Sequence, residues 1–185
     1  TAITGTNGKT TVASSSAYLF AHANGKAAFI GTLGITYFEK RENKIVEIKI
    51  AKTELTTPTA ITIQKYLKLF LSKKIYDIFI EASSVGIIQG RLIGCYIKTA
   101  VFTNIAHDHL DIHGNLKNLA KAKSLLFSVF GLDSVVCMKE KNNNLPYKII
   151  YKEINKIQKK IFVDVNTKNS KFTDGIIINS FSFDE

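Results

Sequence analysis

Residues 3–11, ITGTNGKTT, constrain this chain more than any other stretch. A short apolar strand stub runs directly into a glycine loop, a lysine and paired threonines that open a helix. Glycines let backbone N–H groups approach phosphate oxygens, and a helix N-terminus adds a favourable dipole. Lys9 is placed to neutralise β/γ-phosphate oxygens, and the Thr10 hydroxyl to bind Mg²⁺. The strict G-x-x-x-x-G-K-[ST] pattern fails, because Ile3 stands at the first glycine position. A lone G-K-T is common by chance. The strand before it and the helix after it carry the phosphate reading against that of an ordinary turn.

A strand–loop–helix opening belongs to alternating α/β folds, and the rest of the chain keeps alternating. The expected architecture is α/β, a mostly parallel P-loop-type sheet flanked by helices, with a small additional β region. The first helix covers about Thr10–Ala23 and stops at Asn24-Gly25. KAAFIGT reads as a strand, and GITYFEK-REN-KIVEIKI as a hairpin. TTPTAITIQKYLKLFLSKK carries a helix with Pro58 near its first turn. YDIFIEAS and KTAVFTN read as buried strands. NLKNLAKAKSLLFSVFG has helical apolar spacing at Leu116, Leu119, Ala122, Leu126 and Phe130. Beyond Gly131, DSVVCMK, YKIIY and KIFVDV read as strands between lysine- and asparagine-rich loops.

The length of 185 residues suits one domain with a full core. No apolar run reaches the roughly eighteen residues of a membrane-spanning helix, and no signal peptide opens the sequence. Cys95 and Cys137 lie in apolar contexts without a C-x-x-C partner, as reduced core residues of a cytoplasmic protein do. The net charge of +10 suggests anionic partners. The lysines are scattered, however, and no aromatic–basic motif of the RNA-binding modules is present, so neither nucleic acid nor membrane is an expected partner. There is no initiator Met, and the βα unit starts at residue 1, so a fragment of a longer chain is expected.

Two further motifs carry chemistry. In IEASSVGIIQGRL, Glu81 ends a strand at the edge of an open α/β sheet that faces ligands, where it could hold Mg²⁺ or simply cap Ser83 or Ser84. In FTNIAHDHLDIHGN, three of the chain's four histidines (His107, His109 and His113) gather with Asp108 and Asp111. Zinc is an obvious rival there, but no thiolate joins the cluster. Magnesium prefers oxygen, so a histidine ligand needs a specific reason. His107 and His113 could instead cap strand and helix ends.

In order, GTNGKTT, TTP, EASS-x-G-x-x-Q-G-R, FTN-x-x-x-DHLD-x-HG and AK-x-x-LF resemble the central ATP-binding domain of the Mur ligases, closest to the UDP-N-acetylmuramoyl-tripeptide synthetase branch. The resemblance covers about residues 1–130 and assigns residues 1–185 to that domain. It implies an ATP-dependent amide-bond ligase of peptidoglycan precursor synthesis. ATP would phosphorylate a side-chain carboxylate of UDP-MurNAc-L-Ala-D-Glu. A diamino acid, diaminopimelate or lysine, would then attack the acyl phosphate. By resemblance, Gly5, Thr6, Asn7, Gly8, Lys9, Thr10 and Thr11 form the phosphate loop, and Asn104 closes the strand leading to the nucleotide. Thr10, Glu81, His109 and Lys123 match Mg²⁺ ligands, Lys123 as a carbamate made with carbon dioxide. Lys9, Lys123 and His109 are the catalytic candidates. Thr56, Thr57, Ser83, Gln89 and Arg91 fall where the branch holds UDP-MurNAc-dipeptide.

The sequence departs from the family in three places. Val85 replaces a customary His, Leu119 replaces a Tyr, and the N-D-D segment is not recognisable, Asn142–Asn144 being no substitute. The resemblance also implies flanking uridine-binding and amino-acid-binding domains, without which this fragment would ligate little. A folylpolyglutamate synthetase-like ligase and a non-catalytic nucleotide-binding remnant are the alternatives.

Overall fold

The computed structural model describes residues 1–108, 110–138 and 144–163. Among them, eight strands form one sheet in the order β4-β3-β2-β5-β1-β6-β7-β8. The strands are β1 (Ala2–Thr4), β2 (Lys26–Gly31), β3 (Gly34–Arg41), β4 (Lys44–Ala51), β5 (Ile78–Glu81), β6 (Thr99–Phe102), β7 (Ser134–Met138) and β8 (Lys159–Val163). Strands β2, β5, β1, β6, β7 and β8 run parallel. The β3–β4 hairpin extends the same sheet antiparallel to β2. The additional β region expected from the sequence is thus a wing of the main sheet.

Helix α1 (Lys9–Asn24) covers one face through Ala13, Ala17 and Ala21, packed on Ile3, Ala27, Phe29 and Phe79. Small residues on that stripe let the helix lie close to the strands. The opposite face carries α2 (Ala60–Ser72), the short α3 (Ser84–Ile88) and α4 (Leu110–His113), α5 (Leu116–Ser124), a following 3-10 turn (Leu125–Ser128) and α6 (Leu145–Ile154). Its core joins Ile63 and Phe70 of α2, Leu119 of α5, and Ile150 and Ile154 of α6 to Ala100 and Phe102 of β6.

Two expectations are corrected. YKIIY is not a strand but part of α6, because Tyr147, Tyr151, Ile150 and Ile154 fall at helical spacing. Pro58 lies near the first turn of α2, as expected, directly before Thr59, which caps that helix by accepting the Thr62 N–H. The helix expected to run to Phe130 tightens into the 3-10 turn at Leu125. Cys137 is buried and Cys95 half-buried, both free thiols. No helix among the described residues is long and apolar enough to cross a membrane.

Candidate functional site

Strand register brings the site together. Ile3 pairs with Glu81, and Thr4 with Phe102, so the C-terminal ends of β5, β1 and β6 lie side by side. The chain leaves β1 through Gly5, whose φ of +148° suits glycine. A Cβ there would lie 1.9 Å from Thr103 Oγ1. Gly8, left-handed at φ 81°, is the N-cap of α1 and supplies no side-chain cap. The first-turn N–H groups of α1 are therefore left to face a ligand.

The segment after β6 shapes this loop. The Thr6 N–H donates to Asn104 O at 2.9 Å, and the Asn7 N–H to Asn104 Oδ1 at 3.0 Å. Asn104 Nδ2 and Thr103 Oγ1 both donate to Asn7 O. Asn104, expected near the nucleotide, thus holds the loop's backbone through both atoms of its amide.

Lys9 Nζ donates to Gly5 O at 2.9 Å and Thr6 O at 2.8 Å, crowning the loop. Burial pushes its pKa down, while the charges of Glu81 and Asp108 oppose that shift. Thr10 Oγ1 donates to Glu81 Oε2 at 2.8 Å. Glu81 is fully buried and does not cap Ser83 or Ser84: its Oε1 accepts the Thr32 N–H at 2.7 Å. A cavity of about 270 Å³ opens between these groups, lined by residues 6–11 with Thr32, Thr56 and Glu81.

These donors suit a magnesium ion. Two adjacent ligands of an octahedron with bonds of 2.0–2.1 Å stand about 2.9 Å apart, and Thr10 Oγ1 lies 2.8 Å from Glu81 Oε2. Both are hard oxygen donors.

Lys123 reaches the loop from the other side of the sheet. It is 1% exposed and donates to Gly5 O at 2.8 Å. Burial, then the charge of Lys9, push its pKa down to about 7 against the pull of Asp108. Lys121, two residues earlier, is exposed.

The His/Asp stretch divides. His109 lies outside the described residues. His107 and Asp111 are exposed, whereas His113 is buried with Nε2 2.9 Å from Ser84 Oγ. Asp108 is close enough to act electrostatically on both Lys9 and Lys123. Among the described residues, no three His, Cys, Asp or Glu side chains are grouped as a metal site.

Thr56, Thr57, Ser83, Gln89 and Arg91 form one contiguous wall. Buried Thr57 Oγ1 donates to Glu81 O at 2.7 Å and accepts the Ser83 N–H at 2.9 Å. Arg91 Nη1 donates to Thr57 O at 2.7 Å, and its Nε to Gln89 Oε1 at 2.9 Å. Thr56, at the cavity rim, has its Oγ1 3.2 Å from Thr32 Oγ1. Thr32 and Thr103 were not visible as site residues in the sequence. Thr32 directly follows β2, and Thr103, the middle residue of FTN, directly follows β6; strand pairing brings both to the site.

The model of the Mur ligase middle domain family matches residues 3–184. The chain is 38% identical over 135 residues to a UDP-N-acetylmuramoyl-L-alanyl-D-glutamate–2,6-diaminopimelate ligase of Janthinobacterium sp. (strain Marseille), covering 73% of this chain and 26% of that protein. It is 37% identical over 131 residues to a UDP-N-acetylmuramoyl-L-alanyl-D-glutamate–L-lysine ligase of Staphylococcus epidermidis (strain RP62A), covering 71% of this chain and 25% of that protein. The chain therefore spans about a quarter of the length of these curated relatives. A solved structure of a UDP-N-acetylmuramoyl-L-alanyl-D-glutamate–2,6-diaminopimelate ligase superposes with a TM-score of 0.73 at 29% identity, over 91% of this chain and 32% of that one.

Proposed function

Since this chain belongs to the Mur ligase middle domain family, we propose that it is the ATP-binding part of a ligase that adds a diamino acid to UDP-MurNAc-L-Ala-D-Glu. The observation that carries this reading is the convergence of Lys9, Thr10 and Glu81 on one polar cavity at the mouth of the phosphate loop. Residues 5–11 would cradle the ATP phosphates with backbone N–H groups. Lys9 would leave the Gly5 and Thr6 carbonyls for the β/γ oxygens. A side-chain carboxylate oxygen of the D-Glu residue attacks the γ-phosphorus, and ADP leaves. The amine of the diamino acid then attacks the acyl carbon, loses a proton, and expels inorganic phosphate as the amide forms. Most of this catalysis is positioning and charge stabilisation.

Thr10 and Glu81 would hold Mg²⁺, which neutralises phosphate charge when bound. His109 and Lys123 are the proposed ligands of a second ion. A lysine ammonium cannot bind a cation. With its pKa near 7, Lys123 is substantially a neutral amine at physiological pH. That amine can add to the carbon of carbon dioxide, releasing a proton and leaving an anionic carbamate oxygen. Thr56, Thr57, Ser83, Gln89 and Arg91 would form the wall that takes the UDP-MurNAc-dipeptide, with buried Thr57 holding Ser83 in place. The relatives include both diaminopimelate and lysine ligases, so either amine fits the reading. ATP and a nucleotide-linked precursor as substrates would put the reaction in the cytoplasm.

Isothermal calorimetry tests the site. The chain should bind ATP only with Mg²⁺ present, and Lys9→Ala should abolish that binding. Unchanged nucleotide affinity in Lys9→Ala would sink the phosphate-loop assignment.

A further inference from the structure

Glu81 comes from β5, yet its geometry is set at the end of another strand. The carboxylate is fully buried, a state that requires its oxygens to be bonded. Oε1 accepts the Thr32 backbone N–H at 2.7 Å. Oε2 accepts the Thr10 hydroxyl at 2.8 Å and lies 3.5 Å from Thr32 Oγ1. One oxygen is tied to the protein backbone, and the other faces the phosphate loop.

Gly31 makes the room. A Cβ at this position would lie 2.1 Å from Glu81 Oε1, 2.7 Å from Glu81 Cδ and 2.6 Å from Phe29 Cζ. Its φ is not positive, so glycine is required here for space rather than for conformation. The pairing of Ile30 with Ile80 sets the end of β2 beside the end of β5. That register delivers the missing side chain of Gly31 and the N–H of Thr32 to the same carboxylate.

We propose that the Gly31–Thr32 corner is the positioning element of Glu81: Gly31 leaves the volume that the carboxylate fills, and the Thr32 N–H fixes Oε1 so that Oε2 points at Thr10 and a divalent cation. This rests on the reading of Thr10 and Glu81 as cation ligands. The Thr32 hydroxyl, 3.2 Å from Thr56 Oγ1, also joins the corner to the rim proposed for the acceptor substrate.

Manganese is the probe, because its free and bound forms are distinguished by electron paramagnetic resonance. Binding of Mn²⁺ to the full chain with ADP is measured for the unmodified protein, Glu81→Gln, Gly31→Ala, and a protein in which an ester replaces the Gly31–Thr32 amide. The ester removes the donor without adding an atom, so it decides the matter if Gly31→Ala does not fold. Outer partners of a metal ligand are typically worth about 10- to 100-fold in affinity. All three altered proteins should lose Mn²⁺ affinity, Gly31→Ala and the ester protein in that range, with the melting temperature of the ester protein retained. If Glu81→Gln weakens Mn²⁺ binding while the ester protein binds as tightly as the unmodified one, Glu81 remains a ligand and the positioning role is overturned. If Glu81→Gln itself binds Mn²⁺ normally, the cation reading fails and the proposal falls with it.

Discussion

Lys123 is the residue whose environment is least like its chemistry. An amine on a solvated helix keeps its proton; this one lies under the phosphate loop at 1% exposure with its pKa near 7. An unfolded lysine titrates near 10.5. Between those two values the unfolded chain holds a proton that the folded chain lacks, so stability rises with pH across that window. The penalty for burying the amine is fully present below about pH 7. Lys123→Met keeps the stem and removes the titration. Its stability relative to the unmodified protein should fall steadily as pH rises from about 7 to about 10, measured by urea unfolding in carbon dioxide-free buffer. A difference that does not vary with pH would show that the amine is not buried uncharged. At this scale the sequence was legible where chemistry is local, as in Lys9, Thr10 and the strand-ending Glu81. It was not legible for Thr32, which acts through a backbone N–H that every residue but proline carries.

Elements were legible where their signals were long. The sixteen residues of α1 follow a loop that fits only a helix start. Helix α6 was missed because its centre, YKIIY, is β-branched and aromatic apart from Lys148, and a five-residue run is too short to show a period. What defines α6 lies at its edges. Asn144 Oδ1 accepts the Tyr147 N–H at 3.3 Å, and Pro146 sits in the first turn. Replacing the cap by alanine should cost about 1 kcal/mol and by glycine only a few tenths. Urea midpoints for Asn144→Ala and Asn144→Gly should therefore differ, with the alanine variant the weaker. Equal midpoints would mean that α6 is held by packing alone.

Across the molecule, one aromatic residue ties the layers on one face together. Phe102 on β6 is 1% exposed and meets Phe127, Tyr147 and Tyr151 edge-on, with ring centroids 6.3, 6.0 and 6.4 Å away. It joins the sheet to the 3-10 turn and to α6. Phe102→Ala should cost about 3–5 kcal/mol, a large part of the ~5–15 kcal/mol that holds a domain folded. A collapse of the urea midpoint is expected; a small shift would mean that the rings repack around the space. Because Phe102 is also the last residue of β6, loosening it should disturb the Asn104 clasp on the phosphate loop. The sequence by itself determined the alternation of strands and helices, the phosphate loop, and the family resemblance. Each depends on neighbours in the chain or on motifs that survive in order. Only the tertiary structure decided that β2 ends beside β5, that Lys123 lies beneath Gly5, that Thr57 is buried behind Ser83, and that His113 turns to Ser84. Those facts follow from strand order and register, which bring together residues far apart in the chain and leave no local pattern along it.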